Sequence, residues 1–303
     1  MADFEKLIKQ LQKLETEQVN PATADIDSLS SREIAHRIND QDGTVADVVN
    51  KALGPISRAA EIFADTLRSG GRVFYVGAGT SGRLGVLDAA ECPPTFGTDP
   101  DRIIGIIAGG PAALILSIEG MEDNRDAAVI DLEKHGLTPS DFVIGICASR
   151  RTPYTLSALA YAATTGCRTA FIICNKGADL PVRPDVVIEL PVGPEAITGS
   201  TRMKSGTAQK MALNMISTTA MVLLGKTYGN LMIDLQAKSE KLAARSRKIL
   251  MDLYDLTLEK ADDLLQRSGG SVKTAMVMQQ LRCDRSTAVT KLQQAGGFVS
   301  RVK

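Results

Sequence analysis

Histidine is nearly absent from this chain: His36 and His135 are the only two, and neither lies near a cysteine or carboxylate cluster. A histidine-based triad and a metal site are therefore not expected. Cys92, Cys147, Cys167, Cys174 and Cys283 are odd in number, show no CxxC spacing and sit mostly in apolar stretches, which fits reduced core residues rather than a disulfide framework. Net charge is also missing. Lys plus Arg (35) equals Asp plus Glu (35), so no overall field recruits nucleic acid or an anionic membrane. No apolar run approaches the ~18 residues of a membrane span. The opening Met-Ala-Asp-Phe-Glu-Lys carries acids and no apolar signal core, so a cytoplasmic protein is expected. What remains is a soluble-type composition, 44% hydrophobic over 303 residues, long enough for one large domain or two.

The stretch that organises the rest runs from Arg72 to Pro94. Arg-Val-Phe-Tyr-Val reads as a buried parallel strand, Gly77-Ala-Gly79-Thr80-Ser81-Gly82-Arg83 as a glycine turn, and Leu84 onward as a helix. Orphan amides and the positive dipole end at such a helix start favour a phosphate, and Thr80 and Ser81 add hydroxyl donors. The glycines also spell GxGxxG. A dinucleotide site would want an acid at the end of the next strand, but Arg102 to Ala108 runs into Gly109-Gly110-Pro111. The hydroxyls suit a compact phosphate monoester better. A turn that merely packs helix on strand stays open, although it leaves Thr80 and Ser81 without a role.

Apolar positions at helical spacing predict a helix over Phe4 to Glu17, a short one over Ser31 to Asn39, and a longer one over Val45 to Leu67 in which Pro55 introduces a kink. Four more strands follow at βαβ intervals: Ile103 to Ala108, Phe142 to Ala148, Thr169 to Cys174 and Val186 to Leu190. The expected fold is α/β, a five-stranded parallel sheet flanked by helices, with its ligand at the carboxyl ends of the strands. The third strand ends in Ser149-Arg150-Arg151-Thr152-Pro153, a second hydroxyl-rich turn before a helix, now with two arginines. The fifth leads into Glu195, Ser200 and Lys204 before an apolar helix over Ala208 to Leu224. After Asp234 the pattern is helical only. A basic run (Lys238, Lys241, Arg245, Arg247, Lys248) reads as a solvated face, and three short segments follow, Leu256 to Gln266, Val272 to Leu281 and Thr287 to Gln294, with Ser271 and Asp284 as caps. The domain boundaries expected are 1–235 for the α/β domain with its N-terminal helices and 236–303 for a three-helix appendage.

Without histidine, metal or nucleotide, carboxylates are the natural proton movers. Glu91, before Pro93-Pro94, and Glu122, in the acidic Glu119-Gly-Met-Glu122-Asp stretch, are the candidates. Spacing alone reads each as a surface acid, and a pair with separated pKa values would supply one acid and one base.

These stretches together resemble the N-acetylmuramic acid 6-phosphate etherases of the sugar isomerase (SIS) fold. The resemblance covers nearly the whole chain, including the Gly77 to Gly97 block with Glu91-Cys-Pro-Pro-Thr-Phe-Gly, Glu119-Gly-Met-Glu122-Asp, Arg151-Thr-Pro-Tyr154, and Thr198-Gly-Ser-Thr-Arg-Met-Lys-Ser-Gly-Thr-Ala-Gln-Lys210. It implies cleavage of the lactyl ether to N-acetylglucosamine 6-phosphate and D-lactate without a cofactor, by a homodimer that recycles cell-wall sugars. Glu91 aligns with the proton donor and Glu122 with the base. Gly79, Thr80, Ser81, Arg83, Ser149, Arg151, Thr152, Ser200 and Lys204 are the expected substrate- and phosphate-binding residues. Two positions depart from the family pattern: Arg150 stands where glycine is usual, and Pro111 where a glutamate commonly follows Gly109-Gly110. A non-catalytic SIS sugar-phosphate sensor is the rival from another class, and a SIS aldose–ketose isomerase with Glu195 as base is the third. Retention of both Glu91 and Glu122 argues against the sensor, and Glu91-Cys-Pro-Pro against the isomerase.

Overall fold

The computed structural model describes residues 5, 8, 11–177, 180, 182–235 and 239–303. They form two compact units, one of the described residues up to Ala89 with Ile104–Ile216, the other of Ala90–Ile103 with Ser217–Lys303. In the first, α1 (Ser31–Asp42), α2 (Val45–Lys51) and α3 (Leu53–Arg68) precede β1 (Val73–Gly77) and α4 (Gly79–Phe96), whose residues from Ala90 on are counted with the second unit. Then come β2 (Ile103–Ile107), α5 (Arg125–Lys134), β3 (Phe142–Cys147), α6 (Pro153–Thr165), β4 (Arg168–Ile173), β5 (Val186–Glu189) and α7 (Lys204–Leu223). The five expected strands all form, in the order β2-β1-β3-β4-β5, with parallel pairing from β1 through β5.

Burial explains the order. Every residue of β1 and β3 is buried, because helices cover both faces of a central parallel strand, whereas β2 and β5 mix buried and partly exposed positions as edge strands do. Phe74, Val76, Val143, Phe171, Leu132 and Leu159 form much of the core between sheet and helices. Asp88 fixes the rotation of α4: its carboxylate accepts from Tyr75 Oη (2.8 Å) and from Asn214 Nδ2 (2.7 Å).

Three local expectations are corrected. Of the first expected helix, Glu5, Ile8 and Leu11 are helical, while Phe4 and Leu7 lie outside the described residues; beyond Leu11 the helix does not continue, for Leu14 is extended and Glu15–Glu17 is a 3₁₀ turn. The helix gives way because Leu14 is buried and Thr16 is tied to Asn175, whose Nδ2 donates to Thr16 Oγ1 (3.1 Å). The long helix with a kink at Pro55 is instead two helices broken at Ala52, which places Pro55 in the first turn of α3, where its missing N–H has no helical partner to lose. The third correction lies in the second unit.

There a short antiparallel hairpin, β6 (Thr227–Tyr228) and β7 (Leu231–Met232), forms in a stretch for which no element was expected, and the appendage expected to hold three helices holds four. Four helices follow: α8 (Glu240–Tyr254), α9 (Leu258–Arg267), α10 (Val272–Leu281) and α11 (Arg285–Gln294). The basic run, whose Lys238 lies outside the described residues, folds as most of α8, because Ile249 and Leu250 give that helix a buried face. Ser271 and Asp284 cap α10 and α11 through the Thr274 and Thr287 amides. Leu250, Ala261, Ala275, Met276 and Ala288 belong to the core of this unit. Among the described residues no helix is long and apolar enough to cross a membrane.

Candidate active site

The three glycines of the first turn have two different jobs. A Cβ on Gly77 would lie 2.8 Å from Gly82 N, and one on Gly82 would lie 2.6 Å from Gly77 O, so these two let the helix start pack directly on the strand end. Gly79 has open space but φ +54°, so it serves the turn itself. The result is the eighteen-residue helix α4 launched from the carboxyl end of β1. Because β2 lies on one side of β1 and β3 on the other, the crevice at the switch point falls between the β1–α4 and β3–α6 turns. The two hydroxyl-rich loops expected to share one anion are therefore neighbours in the sheet.

Their side chains are not equally available. Ser81 is buried and its hydroxyl donates to Gln209 Oε1 on α7 (3.0 Å), which leaves the backbone amides and Thr80 as the donors of this turn. In the other turn Ser149 Oγ accepts from the Arg151 amide (3.4 Å), and Thr152 Oγ1 contacts Cys147 Sγ (3.1 Å) just before Pro153 opens α6. Arg150 between them adopts φ +58°, the left-handed conformation that glycine takes freely. Its guanidinium is turned toward the segment after β4, so close to Gly177 that a Cβ there would stand 1.8 Å from Nη1. That Nη1 is buried and has no hydrogen-bond partner among the described residues.

A cavity of about 140 Å³ opens beside the head of α4. Gly79 and Arg83 form one wall, and the connection from β2 to α5, with Leu116, Ile118, Glu119 and Glu122, forms the other. Glu122 keeps solvent contact, but the protein displaces enough water to raise its pKa above the usual carboxylate range, and Asp123 and Glu119 push the same way. Gly79, Arg83 and Glu122 are thus brought together by the structure.

Other expected residues stand elsewhere. Glu91 is exposed, twelve residues further along α4 than Gly79, and is not part of the cavity wall. Ser200 is half-buried in the loop before α7 and does not line the cavity either. Lys204 is buried, with Nζ on Gln41 Oε1 (3.3 Å); burial holds its ammonium below the usual lysine range against the pull of Glu195 and Asp42. Glu195 is fully buried, and its carboxylate accepts from the Lys204 and Ser205 amides (2.8 and 3.0 Å) and from Ser205 Oγ (2.6 Å). It caps α7, which commits both oxygens and removes it from general-base work.

Two contributors carried no assignment from sequence. Glu119 shares the cavity wall with Glu122, and its signal was the spacing of two acids around Gly120, whose φ of +76° turns the chain between them. Gln209 holds Ser81 from 128 positions away, a pairing with no local signature.

Known proteins resemble this chain in family and in fold. The model of the glucokinase regulatory protein N-terminal SIS domain family matches residues 56–163. Curated N-acetylmuramic acid 6-phosphate etherases match over nearly the full length: that of Geobacillus thermodenitrificans is 49% identical, covering 96% of this chain and 99% of its own. The Rhodopirellula baltica protein is 48% identical over 98% of each chain, and the Mycolicibacterium smegmatis protein 46% identical over 95% and 97%. Among solved structures, a Bacteroides fragilis protein described as a candidate phosphosugar isomerase involved in capsule formation superposes with a TM-score of 0.50 at 16% identity, covering 71% of this chain and 97% of its own. That likeness speaks to the SIS fold alone.

Proposed function

The chain belongs to the N-acetylmuramic acid 6-phosphate etherase family and is a carbon–oxygen lyase acting on that sugar phosphate; from this premise we propose how its residues divide the work. The observation that carries the reading is that Glu122, with its pKa pushed upward, and the glycine turn at the head of α4 line one cavity. The phosphate is taken by the turn of Gly79, Thr80 and Ser81, chiefly through first-turn amides, together with the neighbouring turn of Ser149, Arg151 and Thr152. Ser200 and Lys204 act on that site through the loop and helix start they stabilise.

In the open-chain sugar the C1 aldehyde acidifies the C2 proton. Glu122 takes that proton, and a carboxylate whose pKa is raised toward the working pH is the stronger base. Glu91, matched to the family's proton donor by its Glu-Cys-Pro-Pro context, protonates the ether oxygen as lactate leaves C3. Water then adds its hydroxide to C3 of the unsaturated aldehyde, and C2 regains a proton. The net change is one ether and one water converted to one alcohol and one lactate, with no oxidant or reductant. Family membership also supports a homodimer and a cytoplasmic setting, where phosphorylated sugars are retained.

Incubation with N-acetylmuramic acid 6-phosphate should release D-lactate. Product formed in heavy water should carry deuterium at C2, and product formed in oxygen-labelled water should carry the label at C3. Label found in the lactate instead would mean attack at the lactyl carbon and sink the elimination scheme.

A further inference from the structure

The connection between β2 and α5 is built as a strap. Gly109, Gly110 and Gly120 have φ of +87°, +69° and +76°, and at Gly110 and Gly120 no atom lies within 4 Å of where a Cβ would stand. The backbone angle, not crowding, is what these two positions ask of glycine. Between them the chain turns through Pro111–Leu114 and exposes Ile115 (87%) and Leu116 (64%), side chains that bury too little to hold the segment in place. The segment is held from below. Arg83 Nε donates to Leu114 O (3.2 Å) and Nη2 to Leu116 O (3.1 Å), so one planar guanidinium spans two carbonyls of the strap. Leu116, Ile118 and Glu122 line the same cavity as Arg83.

We propose that Arg83 is a positioning residue that latches the strap from Gly110 to Gly120 and so sets Glu122 against the glycine turn. This rests on the reading of Glu122 as the base. It also changes the role expected for Arg83: two of its donors are committed to backbone carbonyls, so it shapes the cavity rather than serving chiefly as a phosphate ligand. A substitution that frees the strap misplaces the base and admits water, which weakens the chemical step more than substrate binding.

The test compares wild type, Arg83→Gln and Arg83→Lys in the full chain. Hydrogen exchange of the amides from 112 to 122 is measured together with kcat and KM for lactate release from N-acetylmuramic acid 6-phosphate. Arg83→Gln is expected to speed exchange across the strap and lower kcat roughly 10- to 100-fold, with KM changed by about threefold or less. Arg83→Lys, which keeps the charge but reaches one carbonyl, should fall between, and it serves as the sole variant should the glutamine form not fold. Unchanged exchange, faster exchange with kcat intact, or a large rise in KM at constant kcat each overturns the latch. A wild-type protein that releases no lactate would instead remove the etherase reading, and exchange would then judge the latch alone.

Discussion

The two ends of the sheet are built to opposite rules. At the amino ends of β1, β3, β4 and β5, charged groups beside neighbouring strands are paired. Asp141, before β3, has 1% of its side chain exposed and accepts from the Arg72 amide (2.8 Å), Arg72 Nη2 (2.7 Å) and the Thr138 amide (2.9 Å). Arg168 and the Thr169 amide meet Asp185 in the same way at β4 and β5 (2.8 and 2.7 Å). At the carboxyl ends stand a non-glycine residue with positive φ, Arg150, whose buried Nη1 has no hydrogen-bond partner among the described residues, and a carboxylate whose pKa is pushed up. One end uses its polar groups to hold strands together, and the other keeps a strained backbone and an unsatisfied donor at a cost in stability.

Substitutions at the two ends should therefore fail differently. Glu122→Gln and Glu91→Gln are each expected to lower turnover roughly 100-fold or more while substrate still binds, because general acid–base groups act on the chemical step. Glu122→Gln should leave thermal stability unchanged or slightly higher at neutral pH: a carboxylate whose folded pKa is raised is disfavoured when charged, and the amide carries no charge. Near-normal turnover in either variant would take that residue out of the mechanism. Melting curves that fell as far as those of an amino-end variant would dissolve the contrast.

The matching amino-end variant is Asp141→Asn. Burial by itself would raise the Asp141 pKa, but hydrogen bonds from Arg72 and from the Thr138 and Arg72 amides outweigh it, and the net direction is down. A depressed folded pKa contributes stability above the unfolded carboxylate range, and that stability is lost as pH falls through the folded value. Breaking a buried pair of this kind costs about 3 kcal/mol. Chemical denaturation should show that loss at neutral pH and a smaller one in acid, with kcat of the folded fraction unchanged. A variant as stable as wild type but slow in turnover would reverse the assignment of the two ends.

A smaller effect separates Glu122 from its neighbour. Glu119 raises the Glu122 pKa by like-charge repulsion, so Glu119→Gln should move the acidic limb of kcat/KM to lower pH by a fraction of a unit. A shift to higher pH, or none, would show that the limb belongs to another group.

Sequence made the scaffold legible because each strand is a short apolar run closed by a turn, and because glycine, hydroxyl and proline chemistry is local. β1, the Gly77 to Gly82 turn and Pro153 at the start of α6 stand where periodicity and turn residues put them. What sequence left open depends on partners far along the chain. Leu14 reads as the last apolar position of a helix until Asn175 claims Thr16. Glu195 reads as a free carboxylate until the amides of Lys204 and Ser205 fill both oxygens. Ser81 reads as a phosphate donor until Gln209 accepts its proton. In each case a tertiary hydrogen bond decided what a residue of suitable type was able to do.

Arg150 offers the finest test of the contrast, since it brings strain to the carboxyl end without an evident ligand. Its φ of +58° shows that the position asks for glycine's backbone angle, and a side chain in that conformation costs about 1 to 2 kcal/mol. The guanidinium is folded toward Gly177, on the β4 side of the β3–α6 turn, whereas the switch-point crevice lies on the β1 side. It is thus turned away from the proposed phosphate site. Arg150→Gly should relieve the strain, but glycine's extra freedom in the unfolded chain takes back about 0.5 to 1 kcal/mol, so the net gain in stability is expected to be small. KM should change by about threefold or less and respond only weakly to salt, because no charge is withdrawn from the phosphate. A KM that rises steeply in the glycine variant at low salt would show that Arg150 swings back to the anion. Activity present only in the glycine variant would show that the left-handed arginine distorts the turn it occupies.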